Sequence, residues 1–101
     1  MDVDEFKLSL AAKTPPSGLG ELVQALWHEA KGDWGRAHAI VQAHKGKASA
    51  RVHAYLHRKE GNLDNANYWY ERAGRAMPKN SLEQEWETLV ATLLRDASRQ
   101  R

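Results

Sequence analysis

Apolar residues fall along this chain in short stripes of helical period, broken by glycine or by a proline pair. Val3, Phe6 and Leu10 share one face of a first predicted helix, about Val3 to Lys13, which Asp2 caps and Glu5 closes as a capping box. Pro15 and Pro16 end it, because a residue before proline is pushed out of helical geometry. A second stripe, Leu22, Val23, Leu26, Trp27 and Ala30, predicts a helix over about 20–31 that stops at Gly32. Asp33 then caps a third, about Trp34 to His44, with Trp34, Ala37, Ile40 and Val41 facing inward. After a turn at Gly46 comes a fourth, about Ala48 to Glu60, carrying Val52, Tyr55 and Leu56. Gly61 ends it, and Asn62 caps a fifth, about Leu63 to Ala76, whose inner positions are Leu63, Ala66, Trp69, Tyr70 and Ala73. Ser81 and Gln84 form a second capping box, before the stripe Trp86, Leu89, Val90, Leu93, Leu94 and Ala97 of a sixth helix. No stretch alternates with period two, so an all-α domain is expected.

The stripes repeat. A shift of 29 residues lays Val23 on Val52, Ala25 on Ala54, His28 on His57, Gly32 on Gly61, Asp33 on Asn62, Ala37 on Ala66 and Val41 on Tyr70. Core positions and capping chemistry recur together, as in two copies of one helix-turn-helix unit. Repeat one covers about 20–45, repeat two about 48–77, and the sixth helix, about 82–98, is expected to cap the open apolar end.

The segments GDWGRAHAIV and GNLDNANYWYERAGRAMP, with a small residue (Ala37, Ala66) ahead of a large one and then Ala73 and Pro78, resemble the second helix of tetratricopeptide (TPR) repeats. That resemblance implies stacked antiparallel helical hairpins in a right-handed α–α superhelix. The first helices depart from the family pattern W-x2-L-G-x2-Y. Glu21 and Ala50 hold the tryptophan position, Ala25 and Ala54 the small one, and His28 and His57 the tyrosine one. Residues 20–78 are also similar to small bacterial proteins of no assigned activity, through HAYLHRKEGNLDNANYWYERAG and ALWHEAKGDWGRAH.

Composition narrows the function classes. Apolar residues make up 42% and charged residues 28%, an ordinary globular balance. The chain has no cysteine, so a thiolate metal site, a cysteine nucleophile and disulfides are all ruled out. The acidic opening MDVDEF and the lack of a long apolar run point to a cytoplasmic protein without a membrane segment. The net charge is +2 with the bases scattered, so nucleic acid ranks last among partners; the tail RDASRQR reads as a solvated end.

Two features carry candidate chemistry. His53 and His57 stand at i and i+4, a spacing that lets two imidazoles reach one ion, and His28 is the repeat equivalent of His57. One reading is a divalent transition metal such as zinc held by His28, His53 and His57, completed by Glu60 or Glu29, in a metal-binding or metal-dependent hydrolytic protein. The other is that His28 and His57 only pack where the family has tyrosine, with no cofactor. The second feature is the run Tyr68-Trp69-Tyr70: Trp69 and Tyr70 align with core positions, whereas Tyr68 should face out beside Arg72. His28, His53, His57, Tyr68 and Arg72 thus form the expected binding surface of a non-enzymatic interaction module, for a partner protein, a peptide or a second copy of the chain. No GxSxG, P-loop or GxGxxG occurs, and Ser17, Ser49, Ser81 and Ser98 read as caps or surface residues, so no catalytic residue is expected.

Overall fold

In the computed structural model, which describes residues 1–99, six α-helices follow one another: α1 (Val3–Ser9), α2 (Glu21–Ala30), α3 (Trp34–Gln42), α4 (Lys47–Glu60), α5 (Leu63–Arg72) and α6 (Leu82–Arg99). There is no strand among the described residues. Local chemistry sets the helix starts. Asp2 accepts from the Glu5 amide at 2.9 Å while the Glu5 carboxylate accepts from the Asp2 amide at 3.2 Å. Ser81 and Gln84 exchange the same pair of bonds ahead of α6. Asp33 and Asn62 accept from the amides of Arg36 and Asn65, at the starts of α3 and α5.

The ends are set by glycine. Gly61 takes φ 89° after α4, and the next amide, of Asn62, reaches back to the His57 carbonyl at 2.9 Å. Gly74 (φ 73°) closes α5 in the same way, with the Arg75 amide on the Tyr70 carbonyl, so α5 stops at Arg72, short of the expected Ala76. Similarly, α1 stops at Ser9 because residues 10–13 turn before the prolines. A Cβ on Gly61 would meet nothing within 4 Å, so Gly61→Ala isolates the cost of the left-handed backbone. We expect a loss of about 1–2 kcal/mol, read as a lower urea midpoint with unchanged slope. An unchanged midpoint would show that the turn does not depend on its glycine.

Helices α2 and α3 pack against each other, as do α4 and α5, and the pairs meet through α3 on α4 and α2 on α4. The small residues at the seams explain the close approach: Ala25, Ala37, Ala54 and Ala66 are fully buried. The main core gathers Leu26, Trp27, Val41, Val52, Leu56, Leu89 and Val90, and Ala54, Ala66 and Tyr70 form a second cluster between α4 and α5. Helix α6 was expected to cover the open end of a stack, but it lies across α2 and α4, the first helix of each pair. Its Trp86 indole N–H donates to the Leu26 carbonyl at 3.2 Å, and Phe6 of α1 packs on the same ring at 5.7 Å. Leu63 is a further correction: expected inside, it is 52% exposed at the first turn of α5. No helix among the described residues is long and apolar enough to cross a membrane.

Candidate functional site

Three of the five histidines meet where α3 packs on α4. His53 and His57 stand one turn apart on α4, so their rings stack on one face, centroids 4.9 Å apart. His38 reaches them from α3, edge-on to both at 4.8 and 5.2 Å. One nitrogen of each ring lies within 4.8 Å of the other two, and Nε2 of His38 is 3.0 Å from Nε2 of His53.

Two indoles wall the cluster. Trp34, one turn before His38, stacks on that ring at 4.7 Å, and its N–H donates to the Leu56 carbonyl at 2.7 Å, which fixes the indole. Trp69 of α5 stacks on His53 at 3.9 Å. His53 and His57 are buried in consequence, and His38 is half-buried. On the far side of His57, Nδ1 donates to the Glu60 carboxylate at 2.6 Å. In a neutral ring that bond holds the proton on Nδ1 and leaves the Nε2 lone pair free.

The surroundings favour the uncharged form of two of the rings, His53 and His38. Burial pushes His53 down to about 4, and the neighbouring His38 and His57 add to the shift. Burial also lowers His38, with His57 in the same direction and Glu60 opposing. A neutral imidazole is the form that ligates a metal. The shift carries a consequence for the metal-free protein. His53 binds its proton near pH 6.5 when unfolded but only near 4 when folded, so the unfolded state holds more protons between those values. Stability is therefore full above about pH 6.5 and falls as pH drops towards 4, by on the order of 3 kcal/mol. Urea midpoints from pH 7.5 to 4.5 should fall for the native protein and fall less steeply in His53→Gln, where the lowered His38 and His28 still contribute. A native curve that is level across this range would refute the assignment.

Of the residues singled out in the sequence, His53 and His57 lie in the cluster, and Tyr68 and Arg72 adjoin it. Arg72 lies over both Trp69 and Tyr68, 5.5 and 5.4 Å from the ring centroids, and donates to the Tyr68 hydroxyl at 3.2 Å. Tyr68 is 52% exposed, as its register with Ala39 implies. His28 does not join the cluster: it is buried on α2, edge-on to Trp27, and its pKa is lowered by burial and by Arg36, against Asp33. Glu29, considered as a completing ligand, instead forms an ion pair with Lys59. The third ring is His38, which sequence reasoning passed over. Its one signal was its position a turn after Trp34, on the face that α3 turns towards α4.

No protein-family model, curated protein or solved structure matches this chain.

Proposed function

We propose that this protein binds a divalent transition metal ion, zinc by the nature of its donors, through His38, His53 and His57. The observation that carries the reading is the convergence of three imidazole nitrogens within 4.8 Å at a helix seam. Tetrahedral zinc with Zn–N of about 2.0–2.1 Å places ligand nitrogens roughly 3.3 Å apart. The His38–His53 pair, at 3.0 Å, is already near that spacing. His57 has to close by up to about 1.5 Å, a side-chain adjustment on that scale. Glu60 is the outer partner that orients a ligating imidazole and raises its basicity. Three protein ligands leave a fourth position for water, a small anion or a donor from another molecule.

Zinc titrated into untagged protein stripped of metal is expected to bind at one ion per chain. Elemental analysis after desalting should then give the same ratio. A ratio near zero, or binding that survives loss of all three histidines, would end the proposal. The TPR-like reading of the scaffold belongs here too; the contacts of α2 with α4 and α3 with α4, and the buried alanines of both pairs, support it. So does a role in protein interaction, for which the exposed Tyr68, pinned by Arg72 next to Trp69, is the favouring observation. Light scattering on the free and zinc-loaded forms shows whether a second copy fills the fourth position, since the mass then doubles.

A further inference from the structure

Away from the histidines, a cavity of about 290 Å³ opens where the start of α4, the turn after α5 and the flank of α6 come together. Lys47, Arg51 and Arg75 line it together with the apolar Ala73, Leu89 and Leu93. The Lys47 ammonium sits at the Gly74 turn, 3.8 Å from where a Cβ on that glycine would project, and so directly before Arg75. Elsewhere in the chain the half-buried Lys7 and Arg58 have carboxylate partners, Glu87 and Glu85, and the exposed Lys59 has Glu29; at the cavity Arg51 is half-buried, and Lys47 and Arg75 are exposed. Lys47, Arg51 and Arg75 have no hydrogen bond or ion pair to any group among the described residues. The carboxylate at the cavity, Asp96, is paired with Arg95.

Gathering like charges costs free energy, and burial adds to that cost at Arg51. Burial first, and then the charge of Arg75, lowers the proton affinity of Arg51, with Glu85 and Asp96 opposing. Helix α4 adds to the field, because Gly46 gives its N-terminus no side-chain acceptor and its first turn has no acid. Three cations against one carboxylate leave a surplus of two positive charges, and two of the three are guanidiniums, whose forks match tetrahedral oxyanions. A phosphate monoester carries close to two negative charges at neutral pH. The apolar part of the lining suits a hydrocarbon or aromatic body rather than a bare ion.

We propose that this cavity binds a small organic phosphate, with Lys47, Arg51 and Arg75 around the phosphoryl oxygens and the organic group against Ala73, Leu89 and Leu93. The site is separate from the histidine cluster and does not depend on the metal reading. The test is a titration of the purified protein with phenyl phosphate, followed by calorimetry and by amide NMR, with inorganic phosphate, benzoate and a duplex oligonucleotide in parallel. The expected result is saturable one-to-one binding of phenyl phosphate, stronger than that of inorganic phosphate or benzoate, with shifts centred on Lys47, Arg75 and Leu93. Arg51→Gln and Arg75→Gln should each weaken it by about tenfold or more, as loss of a charge-assisted bond does. Lys47→Gln, at an exposed position, gives the same readout should Arg51→Gln fail to fold. No saturation at low salt, equal affinity for all three small anions, or affinity unchanged in the variants would overturn the proposal. Tighter binding of the oligonucleotide through these same residues would overturn it too, in favour of a nucleic-acid surface.

Discussion

Replacing His38 by alanine is expected to weaken zinc binding by more than about 100-fold, whereas His28→Ala leaves it unchanged. The lower bound comes from what removing an outer partner of a zinc ligand costs, about 10- to 100-fold; losing a ligand itself costs more. Glu60→Gln should fall inside that range, because the amide still accepts from His57 Nδ1 but carries no charge to raise the basicity of the ring. Thermal unfolding reads the same series. Zinc that binds only the folded chain stabilises it by about 2.7 kcal/mol when free zinc stands at 100 times Kd. In a domain of this size that raises Tm by roughly 10–20 °C. The rise should be absent in His38→Ala and in His53→Gln, and intact in His28→Ala. His38 is the informative position because it is half-buried, so its loss disturbs packing less than loss of His53. Equal zinc responses in His38→Ala and His28→Ala would separate metal binding from the seam and remove the proposal.

That contrast also marks how far the sequence could be read. The helix starts and the stop at Gly61 were legible because they depend on residues three to five apart: Asp2 with Glu5, Ser81 with Gln84, His57 with Asn62 across the glycine. The alanine seams were legible because the 29-residue shift pairs Ala37 with Ala66, and both are fully buried. Two of the three rings of the histidine cluster followed from the i, i+4 spacing of His53 and His57. The third was not accessible in this way. The repeat equivalent of His57 is His28, but repeat equivalence displaces a residue to the corresponding place in the next unit; it does not bring the two side chains face to face. His38 meets the pair through the packing of α3 on α4, a contact across the chain that no periodicity encodes. Leu63 misled for the opposite reason. It pairs in register with Trp34, but Trp34 finds the Leu56 carbonyl and the His38 ring, whereas Leu63 is left exposed and no third helical pair among the described residues covers it. The position of α6 likewise depends on which apolar face remains uncovered once the pairs have formed, and that was α2 with α4.

The least legible residue is Glu85, and it carries the largest expected effect on stability. Within α6 it reads as one more surface acid of a first turn, yet it is 2% exposed. Its Oε1 accepts from Arg58 of α4 at 2.8 Å and its Oε2 accepts from the Tyr70 hydroxyl of α5 at 2.5 Å. Arg58 also donates to the Asn80 carbonyl, in the segment leading into α6. One carboxylate thus ties α6 to both helices of the second pair. Glu85→Ala leaves an arginine side chain only 14% exposed without its counter-charge and a buried hydroxyl without an acceptor. Removing one partner of a buried ion pair costs about 3–5 kcal/mol, far more than the pair contributes relative to apolar residues of the same shape. Tyr70→Phe removes the hydroxyl donor and leaves Arg58 on the carboxylate, so it should cost only about 1–2 kcal/mol. Glu85→Gln, which keeps the shape and one acceptor but not the charge, should fall between the two. Chemical denaturation of the three variants gives the order Tyr70→Phe, Glu85→Gln, Glu85→Ala by increasing loss. If Glu85→Ala costs no more than Tyr70→Phe, then Arg58 finds water when its partner is gone, and the carboxylate is not the tie between α6 and the second hairpin.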